Sequence, residues 1–276
     1  SILIESWAAA LAMWWLAGLV ETLVATRLDR RWLAATALLG VIAAITKVTS
    51  FAVLLPAGAI VSLIVARQSG TTRLVWAAIA TLPGIVAAVA WNHYADLVKY
   101  AHPFANFLTA NNLSQWNWGT YEQRLDPAWW SRIFGHLELI FPWWWIAIAA
   151  VGAIWANARQ RLGMVLCAAA IITGPTAFAN LYYIHNYYMM AITPAVVALI
   201  AIGGGAIWQR WANRAAARWV LGVVAIALLG LQFQSYREGL GRGQVRDRPL
   251  PALGILINEL TTPDDRIIII GREWDP

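Results

Sequence analysis

Charged side chains are scarce in this chain. Asp, Glu, Lys and Arg make up 12% of its 276 residues, and hydrophobic residues make up 60%. An ordinary soluble domain carries about 25% charged residues. The composition therefore argues against a soluble protein and predicts a membrane protein.

Cysteine and lysine are nearly absent as well. The one cysteine, Cys167, lies in an apolar stretch, where it gives no information on disulfides and is interpreted as a small packing residue. Lys47 and Lys99 are the two lysines among twenty basic residues. Ten of the arginines lie in short loops between apolar stretches, so the net charge of +6 does not indicate a nucleic-acid partner.

Long apolar stretches are abundant. A bilayer core needs about 20 helical residues, and about 17 to 25 is common. The sequence therefore predicts an all-α polytopic membrane protein with about eight transmembrane helices. The eight stretches are 7–26, 32–46, 51–66, 74–91, 139–156, 162–179, 189–208 and 219–233. Many of the eighteen tryptophans lie at the ends of these stretches, as is typical of an interfacial belt.

The loops between the stretches alternate between arginine-rich and arginine-poor. Because short cytoplasmic loops retain Lys and Arg, the arginine-rich set is predicted to be cytoplasmic. The region 92–138, the turn 180–188 and the residues after 233 then face outward. Four arginines just beyond the last stretch argue against that orientation for the last helix. The cytoplasmic set is Arg27, Arg30, Arg31, Arg67, Arg73, Arg159, Arg161, Arg210, Arg214 and Arg218, and the opposing four are Arg237, Arg242, Arg246 and Arg248.

The two ends of the sequence suggest a fragment. The chain begins without an initiator Met and enters a membrane segment at once. Residues 253–260 read as a helix, 262–265 as a turn and 266–271, with four consecutive isoleucines, as a buried strand. We therefore expect residues 1–233 to form a membrane domain with an outer loop at 92–138, and residues 234–276 to begin an extracytoplasmic α/β domain.

The long outer loop contains a helix signal and a polar aromatic segment. Asp126-Pro127 is a typical helix start, and a following apolar face of Trp130, Ile133, Phe134 and Leu137 predicts a short helix in the outer interface. The preceding segment is dense in amides and aromatics, which suit sugar hydroxyls and sugar-ring faces. A hydrogen-bonded loop packed on the membrane surface is the plainer alternative. The candidate sugar or acceptor residues are Asn111, Trp116, Trp118, Glu122 and Arg124.

The turn around His185 is the second candidate. His185, Tyr187 and Tyr188 lie at the mouth of a helix that continues through Pro194, where a kink is expected. Imidazole and phenol groups can hydrogen-bond a phosphate oxygen, and their rings tolerate the lipid boundary. The alternative is an aromatic membrane anchor with one incidental histidine.

Lys47 is the third candidate, between two apolar stretches at the predicted outward edge. An ionisable residue at membrane depth is a functional candidate by default, and lysine is a good phosphate ligand. The alternative is a lysine that snorkels to the interface. Glu5 is a further candidate to border this site, but a glutamate at a helix start is ordinary.

Together these segments resemble the GT-C glycosyltransferases that use polyprenyl-phosphate-linked sugars, the family-39-like group of protein O-mannosyltransferases and aminoarabinose transferases. The resemblance rests on 40–47 with its following apolar run to Pro56, and on His185-Asn186-Tyr187-Tyr188 followed by Thr193-Pro194. A long outer loop before a tryptophan-rich helix and the closing segment 264–276 add to it. The order of these features spans nearly the whole chain, as the later half of such a membrane domain.

The resemblance implies sugar transfer from a polyprenyl monophosphate to a glycan, lipid or protein acceptor on the outer face of a cell membrane, such as the bacterial plasma membrane. Lys47, His185, Tyr187 and Tyr188 then lie near the donor phosphate. The family's catalytic carboxylate belongs to a loop that precedes this chain, so no catalytic residue is assigned here. No cofactor and no metal ligand are implied, and a requirement for a divalent metal stays open.

Two other classes remain open from the sequence. A transporter or flippase for a lipid-linked substrate would carry ionisable residues in mid-helix and often internal repeats. No clear repeat is evident, and Glu21 alone lies well inside a stretch, which favours an enzyme. A membrane anchor for a C-terminal domain would leave Lys47 and the aromatic turn unexplained.

Overall fold

The computed structural model describes residues 2–102, 104–246 and 249–262. Within these ranges the chain is helical and no strand occurs. The helices are α1 (Ile2–Val24), α2 (Arg30–Thr46), α3 (Val48–Ser69), α4 (Thr72–Tyr100), α5 (Ser114–Trp118), α6 (Tyr121–Leu125), α7 (Pro127–Ile140), α8 (Trp143–Trp155), α9 (Ala158–Ala177), α10 (Ala179–Ile184), α11 (Met189–Trp211), α12 (Ala215–Arg246) and α13 (Pro249–Leu260). Two 3-10 turns cover Asn106–Leu108 and Asn186–Tyr188.

Five helical segments of the described chain have the length and composition of a membrane span. They are Ile4–Val24, Val48–Ser69, Thr72–Tyr100, Asn186–Trp211 and Ala215–Glu238. The pair α7 and α8 qualifies together but is bent by 97° at residues 141–142, and would make a sixth. The prediction of a helical, multi-pass membrane protein is confirmed. The count of eight crossings stays a prediction, since α2 and α9 do not qualify alone.

The chain divides into two compact units, Ser1–Ile207 and Trp208–Pro276. The first holds α1 to α10 and most of α11, and the second holds α12 and α13. The division that the sequence predicts after residue 233 falls within α12, one continuous helix of 32 residues, and it stays a prediction.

Side chains at the loops determine where several helices begin. The Asp29 carboxylate accepts the Arg31 N–H at 2.8 Å at the start of α2. Asn157 and Gln160 form a reciprocal capping box at α9. Such caps satisfy N–H groups that have no partner within the helix. Gly70, with φ of +96°, ends α3 in a conformation that favours glycine.

The core of the first unit lies among α1, α2, α3 and α4 and continues onto α7, α9, α10 and α11. Trp15 is fully buried at its centre, and its indole N–H donates to the Ala80 carbonyl at 3.1 Å. Glycines allow this close approach, because a Cβ at Gly40 or Gly58 would come within 2.9 Å of the Trp15 ring. Small residues at helix contacts are typical of membrane bundles.

Hydroxyl groups inside the apolar helices bond to their own backbone. Thr22, Thr36, Ser62 and Thr173 each donate to the carbonyl four residues earlier, at 2.6 to 2.9 Å. These four hydroxyl donors are thereby satisfied within their own helices, where an unsatisfied polar group would be costly. These residues therefore fit membrane helices despite their polarity.

Two predicted elements differ from the structure. Helix α4 continues to Tyr100, nine residues past the end of its apolar stretch at 91, because a helix need not stop where its hydrophobic residues do. The predicted start of α7 is confirmed, with the Asp126 carboxylate accepting the Ala128 N–H at 2.8 Å. Of its predicted apolar face, Ile133 is buried and Trp130 and Leu137 pack against the core. Phe134 is exposed instead, and Trp129, outside the predicted face, is buried.

The predictions for the C-terminal segment can be compared with the structure only up to residue 262. The predicted helix at 253–260 lies within α13. Residues 263–276, which include most of the predicted turn and all of the predicted strand, lie outside the described residues.

Candidate functional site

Lys47 is the single non-helical residue between two helices. Its backbone is extended, with φ of −159° and ψ of 105°, so it ends α2 and precedes α3. No side-chain hydrogen bond from Lys47 caps α3. The apolar sequence on both sides continues as helix, and the break directs one lysine side chain toward the neighbouring segments.

The aromatic turn lies beside this break. Lys47 Nζ is 4.8 Å from the centroid of the Tyr188 ring and 5.8 Å from that of Tyr187, within the range of a cation–π contact. The Tyr187 ring is 4.8 Å from that of Tyr188, and the His185 ring is 5.1 Å from that of Tyr187. The structure thus brings together the four candidates that the sequence associated with a donor phosphate.

Glu5 completes this cluster, and the sequence interpretation gave it little weight. Its Oε1 forms an ion pair with Lys47 Nζ, across 42 positions of sequence. The Glu5 side chain is only 4% exposed, against 20% for that of Lys47. The sequence did contain a signal for this pair. Glu5 lies in the first turn of α1, and Lys47 directly follows α2. Because α1 and α2 are consecutive and packed together, the start of α1 can lie near the end of α2.

Three buried polar atoms of Glu5 and of the segment that follows Lys47 carry no hydrogen bond from the described residues. They are Glu5 Oε2 and the hydroxyls of Thr49 and Ser50 in the first turn of α3. Buried polar groups in proteins are normally paired, so Glu5 Oε2, on the carboxylate that contacts Lys47, is an unpaired acceptor at this ion pair. We name Glu5, Lys47, His185, Tyr187 and Tyr188 the lysine cluster.

Arg124 connects the outer loop to the helix that precedes α10. The guanidinium of Arg124 donates to the carbonyls of Trp118, Thr120 and Thr176 at 2.6 to 2.7 Å. Its Nη2 also lies 3.4 Å from the Ala177 carbonyl. Because these bonds use most of the five donors of the guanidinium, Arg124 ties the loop to the end of α9.

Further contacts connect the loop and α7 to α10. The Gln123 amide donates to the Asn180 side-chain oxygen at 2.7 Å, and the Trp118 ring stacks on Phe178 at 5.2 Å. On α7, His136 Nδ1 lies 3.1 Å from the Tyr182 carbonyl. These contacts hold α10, and α10 leads directly into the turn that carries His185.

The remaining loop candidates are exposed. Asn111, Trp116 and Glu122 face outside the fold, and Trp118 is half exposed beside its stacking partner. The pKa of the Glu122 carboxyl is held below its ordinary value by a hydrogen bond from its own backbone N–H and another from the Thr120 hydroxyl. Glu122 is therefore an ionised hydrogen-bond acceptor at neutral pH.

No set of three or more His, Cys, Asp or Glu side chains in the described part of the chain is arranged to hold a metal ion. Comparison of the chain with protein-family models, with curated proteins and with solved structures finds no match. The chemistry of the lysine cluster therefore rests on its own geometry.

Proposed function

We propose that this protein is a membrane glycosyltransferase of the GT-C type. It would move a sugar from a polyprenyl-monophosphate carrier to a glycan, lipid or protein acceptor on the outer face of the membrane. The observation that carries the proposal is the lysine cluster, where one lysine between two apolar helices lies against Tyr187 and Tyr188 with His185 beside them.

The lysine cluster suits a phosphate group attached to a lipid. The ammonium of Lys47 supplies charge-assisted hydrogen bonds, and the hydroxyls of Thr49 and Ser50 are buried polar groups in the following turn. The aromatic bodies of Tyr187 and Tyr188 offer an apolar wall to the first part of a prenyl chain. The lysine cluster thus offers a positive charge for the phosphate of a polyprenyl phosphate and an apolar surface for its prenyl chain.

The proposed reaction is a displacement at the anomeric carbon. The acceptor hydroxyl oxygen forms the new bond to that carbon, the bond from the carbon to the phosphate oxygen breaks, and the lipid phosphate leaves with the electron pair. A carboxylate takes the hydroxyl proton. We assign no residue of this chain to that base. The role of Lys47 is to stabilise the charge that develops on the leaving phosphate.

The exposed face of the outer loop is the proposed acceptor side. Asn111, Trp116, Trp118 and Glu122 offer amide, indole and carboxylate groups to sugar hydroxyls. Arg124 contributes by holding this segment in place, because its donors are directed to backbone carbonyls. This division separates the donor residues of the lysine cluster from the acceptor residues of the outer loop.

The test uses the full-length protein in membranes with a polyprenyl-phosphate sugar as donor. Lys47→Ala and His185→Ala are expected to lower transfer by about 100-fold or more, the scale seen when a group that stabilises developing charge is removed. Lys99→Ala and His93→Ala are matched controls, since both positions lie on α4 away from the break. They should retain transfer.

Transfer that survives in both cluster variants contradicts the donor-site assignment. Movement of the lipid-linked sugar across the bilayer without transfer to any acceptor favours the transporter instead. Reconstitution into vesicles with the donor on one side measures both outcomes in one preparation.

A further inference from the structure

The ion pair of Glu5 and Lys47 makes the lysine cluster neutral as a unit. One carboxylate oxygen of Glu5 contacts the Lys47 ammonium, and the other is buried without a hydrogen bond from the described residues. The Glu5 side chain is almost fully buried. A negative group that binds Lys47 therefore also meets a carboxylate.

The separation between that carboxylate and a bound phosphate follows from the geometry of an ammonium group. The ammonium has three donors, and Glu5 uses one of them. Two acceptors on one tetrahedral ammonium, each about 2.8 Å from the nitrogen, lie about 4.5 Å from each other. At that distance, and away from bulk water, like charges repel strongly.

We infer that Glu5 makes the lysine cluster selective for a singly charged phosphodiester over a doubly charged phosphomonoester. This inference rests on the proposed function, in which the sugar-loaded lipid is a diester with one negative charge and the spent lipid is a monoester. A phosphomonoester carries about −1.5 to −2 charges at pH 7. Its additional charge gains no second cation from the pair and is repelled by Glu5.

This selectivity favours the replacement of the spent lipid by a new sugar-loaded lipid. The donor binds with its single charge on Lys47, and transfer of the sugar converts it into a monoester beside the same carboxylate. Glu5 thereby weakens the hold on the spent lipid and favours its release. In this role Glu5 determines specificity and takes no part in bond making.

The ionisable groups at the lysine cluster are known from the contacts around Lys47. Glu5 faces it from α1, Tyr187 and Tyr188 face it from the 3-10 turn, and His185 lies against those two rings. The ratio of the two affinities reports on the second charge of the monoester, which appears above about pH 6.

The experiment measures binding of two probes to the full-length protein in nanodiscs. The probes are a short prenyl monophosphate and its methyl phosphodiester, each titrated at pH 5.5 and pH 7.5. The wild type is expected to bind the diester about tenfold more tightly at pH 7.5 and nearly equally at pH 5.5. Glu5→Gln should lose this preference, Glu5→Asp should keep it, and Glu21→Gln on the same helix should leave it unchanged.

Two outcomes overturn the inference: a wild type that binds the monoester as tightly as the diester at pH 7.5, or a preference that persists in Glu5→Gln. Should Glu5→Gln fail to fold, the pH series on the wild type decides by itself. Lys47→Met is expected to lose both probes. If it binds both like the wild type, the proposed donor site is wrong, which is a separate failure from that of Glu5.

Discussion

Trp15 of α1 contacts three other helices, α2, α3 and α4. Its ring lies against Gly40 of α2 and Gly58 of α3, and its edge contacts Phe51 at 5.0 Å between centroids. Its N–H bonds to the Ala80 carbonyl of α4. A large aromatic residue surrounded by glycines contributes both buried area and a specific hydrogen bond.

Trp15→Phe removes that hydrogen bond and part of the ring volume. We expect a loss of about 1–3 kcal/mol in stability, because a buried hydrogen bond and a small cavity are both involved. Trp14→Phe is the matched control, since the Trp14 side chain is 65% exposed. Thermal unfolding in detergent should show a lower midpoint for Trp15→Phe and little change for the control. Equal midpoints would contradict this account of the core.

At the scale of helices, α8 and α11 cross at a pair of glycines. A Cβ built at Gly152 would overlap the backbone of Gly203, and a Cβ at Gly203 would lie 2.6 Å from the Ala149 Cα. Neither neighbour is the end of a flexible side chain, so the helices would have to move apart. Close backbone approach through small residues is a main source of stability between membrane helices.

Gly203→Ala is therefore expected to destabilise the first unit, by about 1–3 kcal/mol as is usual for overpacking. Gly205→Ala, two residues along the same helix, has open space at its Cβ and should be neutral or slightly stabilising, since alanine is the better helix former. Thermal unfolding of the two variants side by side measures the contrast. A Gly205 variant as unstable as the Gly203 variant would point to helix propensity instead of packing.

Arg124 links the outer loop to α9, so its loss should loosen a segment without unfolding the bundle. In Arg124→Gln we expect faster amide hydrogen exchange across 114–126, because three short hydrogen bonds to carbonyls are lost. Exchange in α1 to α4 should not change. Glu122→Gln, at an exposed neighbouring position, serves as the control. Unchanged exchange in 114–126 would show that other contacts hold the loop.

Some of these features follow from the sequence and others depend on how helices meet. The apolar stretches predict most long helices, and Asp126-Pro127 predicts the start of α7, because these signals are local. The ion pair of Glu5 and Lys47 joins positions 42 residues apart, so it depends on how α1 packs against α2. The side of α7 that faces the bundle was predicted only in part for the same reason, since period alone cannot show whether Trp129 or Phe134 faces a neighbour.

For the whole molecule, the alternation of arginine predicts which loops lie on each side of the membrane. In a Cys167→Ser background, His102→Cys should react with an impermeant thiol reagent from outside intact cells. Arg159→Cys should react only after permeabilisation, because its loop retains arginines. Labelling of both positions, or of neither, from outside would contradict the predicted sidedness.

The orientation of α12 needs its own test, since arginines follow its apolar part. In the same background, Glu238→Cys should be labelled from outside if the last helix crosses outward as predicted. Gln209→Cys, in the preceding arginine-rich region, should stay protected until permeabilisation. Protection of Glu238→Cys would place the end of α12 on the cytoplasmic side.

The break at Lys47 also limits how many residues can connect α2 to α3. With one residue between α2 and α3, a deletion or insertion there would turn α3 by about 100° per residue. Phe51 and Gly58 would then leave their places around Trp15. The region 104–113 can absorb added residues far more easily, because it consists of turns and one short 3-10 turn. Spacing at this joint is therefore expected to vary far less between related proteins than the length of the outer loop.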